Sequence, residues 1–338
     1  MVLSTICVLV SNINNINNKQ LAILETLSTQ QKTISQIAED VEMSNGQTSQ
    51  LVKKLHDQGF LCKKRNGNSV TVSFSDHLFA EYLRGLILNN QINLWDLLRH
   101  PCFDILLALA DRKLDEKSIA SEIDASWYQV DKCVLQLERK GILRNDDKEV
   151  TLSRSLPMLN DFLKSYSSYS NFAKLKELTS KGVIVWERTR EFIFFAPTDE
   201  HVEGAEITGI SAMSKYNIDI VSNRAYYHHF ENGRKLRVGD IAIDTILAAN
   251  LQPRGILYSL LFLKKIENFD RKYLILRGKD IGHEKIITDL MRFLEGKEVK
   301  SRAFPSEKEF AQTCYRYGVN LSKEDSSRQT TSSRSSSE

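Results

Sequence analysis

Displaced by 82 residues, the 338-residue sequence falls into register with itself. Ile37 and Ala38 meet Ile119 and Ala120; Ser44 meets Ser126, Gln47 Gln129, Val52 Val134, Leu55 Leu137, Gly59 Gly141 and Leu61 Leu143. That is eight identities in the 26 positions from 36 to 61, with Val41/Ile123 and Phe60/Ile142 as conservative pairs. Ile23-Leu24 and Leu27 also fall on Ile105-Leu106 and Leu109, so the likeness reaches into one more apolar helix. A repeat of this length predicts one supersecondary unit used twice, each copy burying the same face.

Each copy predicts three helices and a hairpin. In the first, Gln20 to Leu27 is apolar at helical spacing, Thr33 caps a helix running to Val41, and a tight turn at Met43-Ser44 opens a third helix that stops at Gly59. Strands at Phe60–Cys62 and Val70–Val72 follow, joined through Asn66-Gly67, a pair suited to the positive φ of a hairpin tip. This is the element order of a winged helix-turn-helix. The domain reading is an N-terminal segment (1–18), a first winged helix (19–75), a linker helix (76–100), a second winged helix with a shorter wing (101–154), an α/β domain (155–321) and a disordered Ser/Thr-rich tail (322–338). The fold class is α+β: tandem winged helices followed by a mixed α/β domain.

In that last domain, strands are expected at 183–186, 192–195 and 224–230. Helices are expected at 208–216, 240–250 and 255–265, and a final helix is capped by Ser306 with Glu309.

Charge separates the two copies. The whole chain holds 46 Lys and Arg against 43 Asp and Glu, a net charge of only +3, so any nucleic-acid surface must come from placement. The third helix of the first copy, with its C-terminal turn (44–58), opens Ser44-Asn45-Gly46-Gln47-Thr48-Ser49-Gln50. Of these, Ser44, Asn45, Gln47, Thr48 and Gln50 are expected to face base edges in a major groove. Lys53 and Lys54 follow on that helix. Lys63, Lys64, Arg65 and Asn66 lie on the expected wing (62–70), placed for phosphates or a minor groove. The segment 53–65 carries five basic groups against Asp57, a local +4, whereas 135–147 balances Arg139, Lys140 and Arg144 against Glu138, Asp146 and Asp147. The second copy, with Asp131 on its third helix, is expected to be architectural or to dimerise, though Trp127, Tyr128 and Lys132 leave DNA contact open to it.

Chemistry of other kinds has little support. The five cysteines are scattered without a C-x-x-C pair and are expected to be reduced packing residues. His228 and His229 alternate on a strand and so point to opposite faces, which argues against a metal site with His201 or Asp240. Asp240 and Asp244 are expected as a helix N-terminal charge and a solvated face. No phosphate-binding glycine loop or nucleophile elbow is present, so no cofactor, metal or catalytic role is expected. Met1–Val10 is shorter than the roughly 20 residues of a membrane span and no basic stretch precedes it, so a cytoplasmic location without membrane contact is expected.

The run Ile37-Ala38-Glu39-Asp40-Val41 through Leu55-His56-Asp57-Gln58-Gly59-Phe60-Leu61 resembles MarR-type winged-helix regulators. The later part, Ile207 to Tyr216, Arg224 to Tyr227 and Val238 to Leu247, looks like archaeal winged-helix regulators and is distantly similar to AbiE-type antitoxins. It departs from the antitoxin pattern at Asn217 and in the order Asp244-Thr245. These resemblances imply a sequence-specific regulator of double-stranded DNA, homodimeric because one recognition helix spans few base pairs. The C-terminal domain is the candidate surface for a protein partner. The alternative they imply is an antitoxin-like factor that neutralises a partner, such as a nucleotidyltransferase toxin, and binds its own operator.

Overall fold

The computed structural model describes residues 16–67, 69–89 and 93–319; the expected tail at 322–338 lies outside them. The described residues divide into two compact units, one reaching to 177 and taking in 188–190, the other made of 178–187 and the described residues from 191 on.

The first unit opens with α1 (Asn18–Leu27), the short strand β1 (Lys32–Thr33), α2 (Ile34–Asp40) and α3 (Asn45–Asp57). The hairpin of β2 (Leu61–Asn66) and β3 (Ser69–Phe74) follows, with β3 between β1 and β2. Both strands are longer than the apolar runs, because the basic stretch 63–65 pairs across to Val70–Val72.

The same order recurs downstream as α6 (Cys102–Ala108), α7 (Glu116–Glu122), α8 (Trp127–Arg139) and a hairpin of β4 (Leu143–Asp146) and β5 (Glu149–Leu152). The correspondence is position for position. Thr33 and Asp115 cap the second helices, Ser44 and Ser126 the third. Glu42 and Asp124, one position past each helix's C-cap, both take the left-handed conformation, with φ of 52° and 51°. The Lys32 to Val72 pairing returns as a bridge from Leu114 to Val150; the shift falls from 82 to 78 because the second hairpin is four residues shorter.

Between the two copies lie α4 (Leu78–Asn89) and α5 (Leu94–Leu98) rather than one helix. Asn93 restarts the chain by accepting a hydrogen bond from the Trp95 backbone at 3.1 Å. With α9 (Pro157–Leu178), these helices complete a hydrophobic core that runs from Ile16 to Tyr166 and includes both copies. Tyr166 is the hub: its ring lies 6.0 Å from Phe60, 5.5 Å from Phe79 and 5.2 Å from Phe103. Neither copy therefore buries its apolar face alone. In the same core, the Cys102 and Cys133 sulfurs lie 3.0 Å apart between α6 and α8, an approach their separation in sequence did not signal.

Gly59 ties the base of the first hairpin to α9. Its φ is +80°, and a Cβ there would stand 2.5 Å from the Tyr169 hydroxyl, so both conformation and space demand glycine. Just beyond the hairpin, the Ser75 backbone donates to the Phe60 carbonyl.

The second unit is built on an antiparallel sheet in the order β6 (Val183–Arg188), β7 (Glu191–Pro197), β9 (Arg224–Phe230), β8 (Glu206–Ile207). The segment expected as one helix at 208–216 is a short α10 (Gly209–Ala212) and a 3-10 turn, closed by Asn217 in the left-handed conformation. Then come α11 (Val238–Ala248), α12 (Pro253–Ile266), α13 (Arg271–Asp280), α14 (Glu284–Leu294) and α15 (Glu307–Arg316). Periodicity hides α13 because its buried residues are Leu274, Arg277 and Gly278, only one of them apolar and large. No helix among the described residues is long and apolar enough to cross a membrane.

Candidate nucleic-acid interface

The turn between α2 and α3 fixes the exposed face of α3. The Met43 backbone donates to the Ala38 carbonyl at 2.9 Å, Glu42 turns the chain at positive φ, and Ser44 accepts from the Gln47 backbone at 3.3 Å. Val52 and Leu55 then point into the core, and so does Thr48. Thr48 is wholly buried and its hydroxyl has no hydrogen-bond partner among the described residues. This corrects the expectation that Thr48 faces bases. Positions 48, 52 and 55 recur at helical spacing on one face, and the repeat puts Val130, itself buried, at the place of Thr48.

The opposite face is open. Ser44, Asn45, Gly46, Gln47, Gln50, Lys53 and Lys54 are all exposed. Ser44 caps its helix as Ser126 does, but Gln47 differs from its counterpart in how it is used. Gln129 closes a capping box, its side-chain oxygen accepting from the Ser126 backbone at 3.1 Å. The Gln47 amide makes no such bond among the described residues and projects free from the first turn of α3. Nothing lies within 4 Å of where a Cβ on Gly46 would stand.

The hairpin extends this surface. Lys64 and Arg65 are exposed opposite Thr71 and Val70, and Lys63 is half-buried opposite Val72. Alternation along β2 sends Lys64 to one side of the hairpin and Lys63 and Arg65 to the other. Partial burial lowers the Lys63 pKa; Asp57 works against this, and the charge of Lys53 adds to it. Lys53 on the helix and Lys63 on the strand therefore share one electrostatic neighbourhood. The hairpin tip carries Gly67 at φ +62°; Asn66 supplies backbone to β2, and its side chain lies outside the described residues.

The second copy presents a different surface on the same frame. Lys53, Lys54, Lys63 and Lys64 correspond to Leu135, Gln136, Asn145 and Asp146. Trp127 and Tyr128, in the first turn of α8, are 53% and 69% exposed, and the Trp127 indole donates to Glu116 at 3.0 Å. Lys140 is paired with Asp96 of α5, which also accepts from Gln136 at 3.0 Å.

His228, Asp240 and Asp244 of the second unit are not a solvated face. Asp244 is buried and bonded to His228 at 2.7 Å and to the Thr208 hydroxyl, correcting its expected exposure. The other His228 nitrogen lies 2.9 Å from Glu191, which is also paired with Arg277. Asp240 begins α11 by accepting from the Arg237 backbone at 2.9 Å, yet it too is buried, bonded to Tyr273 at 2.7 Å and Arg234 at 3.0 Å. Burial opposes charge on His228, but Asp244 and Glu191 outweigh it and raise its pKa to about 9. His229 turns away, to the Gly204 carbonyl at 2.9 Å. Each ring nitrogen of His228 is already occupied, so the arrangement ties strands to helices.

Residues 17–63 match the family model described as bacterial regulatory protein, arsR family. This segment, spanning α1 to the start of the hairpin, is a helix-turn-helix DNA-binding domain. The MarR resemblance is thereby met at the level of the helix-turn-helix, and the family that matches is the arsR one. No curated protein matches the chain.

Proposed function

We propose that the protein is a sequence-specific regulator of transcription that binds double-stranded DNA through its first copy. In this reading the two copies are tandem winged helices of unequal use. Helix α3 enters the major groove with Asn45, Gln47 and Gln50 toward base edges, while Ser44 both caps the helix and offers its hydroxyl proton. Lys53 and Lys54 hold phosphates from the helix; Lys63, Lys64 and Arg65 do so from the wing, along the backbone or in a minor groove. The observation that carries the reading is the division of α3 itself, with Thr48, Val52 and Leu55 sealed in the core and the polar and basic residues continuous with the hairpin cations.

The second copy, lacking those cations and exposing Trp127, Tyr128 and Leu135, serves as a protein-contact module, with homodimerisation as its first use. Two α3 helices about one DNA turn apart then read enough base pairs to select a site. The same exposed aromatics favour a second reading, an antitoxin-like factor that docks a protein partner there and represses its own operon.

The test selects binding sites from random double-stranded DNA with the purified chain and measures affinity against a scrambled site over a range of salt. A motif with dyad symmetry is expected, together with uniform loss of affinity and a shallower salt slope in Lys64→Ala with Arg65→Ala. Gln47→Ala is expected to relax the choice among sequences. Affinity unchanged in both variants removes this face from the interface, and a nuclease-resistant stoichiometric partner without any DNA motif turns the balance to the second reading.

A further inference from the structure

Helix α13 is turned inside out. Its buried residues are Leu274, Arg277 and Gly278, while Ile275 and Leu276 stand 38% and 55% exposed. The inversion follows from what the core of the second unit demands. Arg277 is ion-paired with Glu191, Asp240 and Asp280. Gly278 admits α14, since a Cβ there would stand 2.6 Å from Ile287 Cγ1. Charge pairing and close approach thus commit these two positions to the inside, and helical geometry turns the aliphatic pair out. Lys272 and Lys279 complete the outer face, so that 272, 275, 276 and 279 form one stripe at the i, i+3, i+4, i+7 spacing.

The two lysines are exposed, and neither forms an ion pair among the described residues. The acids at the ends of the helix are already engaged. Asp270 caps α13 by accepting from the Tyr273 backbone at 2.9 Å, and Asp280 pairs with Arg277 at 2.7 Å. Glu295, past the end of α14, pairs with Arg271 at 3.3 Å and Lys297 at 2.7 Å. The stripe is therefore an aliphatic pair between two unanswered cations, which stand about 10 Å apart along the helix axis.

We propose that this face of α13 docks an amphipathic helix of a protein partner, one whose contact stripe is aliphatic with a carboxylate at each end, two turns apart. Charge complementarity fixes the class. A wholly apolar partner would strand both ammonium groups, and a basic one would be repelled by them. Carboxylates at i and i+7 of an aligned helix meet Lys272 and Lys279, while the aliphatic residues between them cover Ile275 and Leu276. The face lies within the second unit, and its use does not depend on DNA binding by the first.

The test titrates the full-length protein into a fluorescein-labelled, alanine-based helical peptide of about 18 residues, long enough to hold its helix. The peptide carries two leucines between glutamates seven positions apart; a second peptide has lysines in place of the glutamates. Fluorescence anisotropy is expected to give a Kd of about 100 μM or tighter for the acidic peptide, and one at least about tenfold weaker for the basic peptide. Lys272→Glu with Lys279→Glu is expected to reverse that order, a result that misfolding does not produce. Ile275→Ser with Leu276→Ser is expected to weaken the acidic peptide at least about tenfold while circular dichroism stays unchanged. No saturable binding of the acidic peptide, equal affinity for the two peptides, or an unreversed order in the charge-swapped variant overturns the proposal. So does binding to phosphatidylserine vesicles that the same variants abolish, which gives the face to a membrane surface. Self-association of the chain that Ile275→Ser with Leu276→Ser abolishes gives it to a second copy and overturns the proposal as well.

Discussion

Thr48 and Val130 occupy the same place in the two copies, 82 residues apart, each wholly buried on the inner face of its third helix. One of them, Thr48, carries a hydroxyl with no partner among the described residues. An unsatisfied buried hydroxyl costs about 1–3 kcal/mol, and valine has nearly the same shape. Thr48→Val is therefore expected to raise stability by about 1 kcal/mol in chemical denaturation and leave affinity for the selected DNA site unchanged. A loss of DNA affinity with unchanged stability returns Thr48 to the interface.

Gly46 separates stability from recognition. It lies in the first turn of α3 with open space around it and no positive φ to require glycine. Alanine there is expected to stabilise the free protein by about 0.5–1 kcal/mol. On DNA the same methyl stands where the helix backbone approaches the groove, so Gly46→Ala is expected to weaken specific binding. Thermal melts and a binding titration on one preparation check both signs.

The two copies differ in their dependence on charge. Lys53→Ala with Lys54→Ala removes two exposed cations and is expected to reduce the magnitude of the slope of log affinity against log salt by up to about 1.8. Arg139→Ala with Arg144→Ala, on the second copy, is expected to leave that slope as it is. Equal slopes for the two double variants refute the unequal roles assigned to the copies.

His228 predicts how stability follows pH. Its pKa in the folded chain is about 9, held up by Asp244 and Glu191 against burial, whereas an unfolded histidine titrates near 6.5. A raised folded pKa gives stability that is complete below about pH 6.5 and lost as pH climbs through 9, worth roughly 3 kcal/mol in all. Arg277 and Asp240 belong to the same network, and the Phe230 ring stacks on the imidazole at 3.9 Å. Denaturation at pH 6 and pH 9 checks it, followed by Trp186, whose ring is 6.4 Å from His228, in a Trp95→Phe, Trp127→Phe background. His228→Gln is expected to remove the pH difference.

The sequence by itself determined the repeat and, through it, the two three-helix units, their caps at Ser44 and Ser126, the stops at Gly59 and Gly141 and the concentration of cations on the first copy. These are local properties: capping, turn geometry and the spacing of apolar residues act within a few positions, so one chain segment is enough to reveal them. Tertiary structure decided whatever depends on residues far apart in the chain. It sent Thr48 inward, because burial of a short polar side chain depends on what α1 and α2 place beside it. It joined both copies through Tyr166, since an aromatic hub needs Phe60, Phe79 and Phe103 brought from three elements. It buried Asp244, because a carboxylate leaves water only where partners such as His228 and Thr208 are already in place.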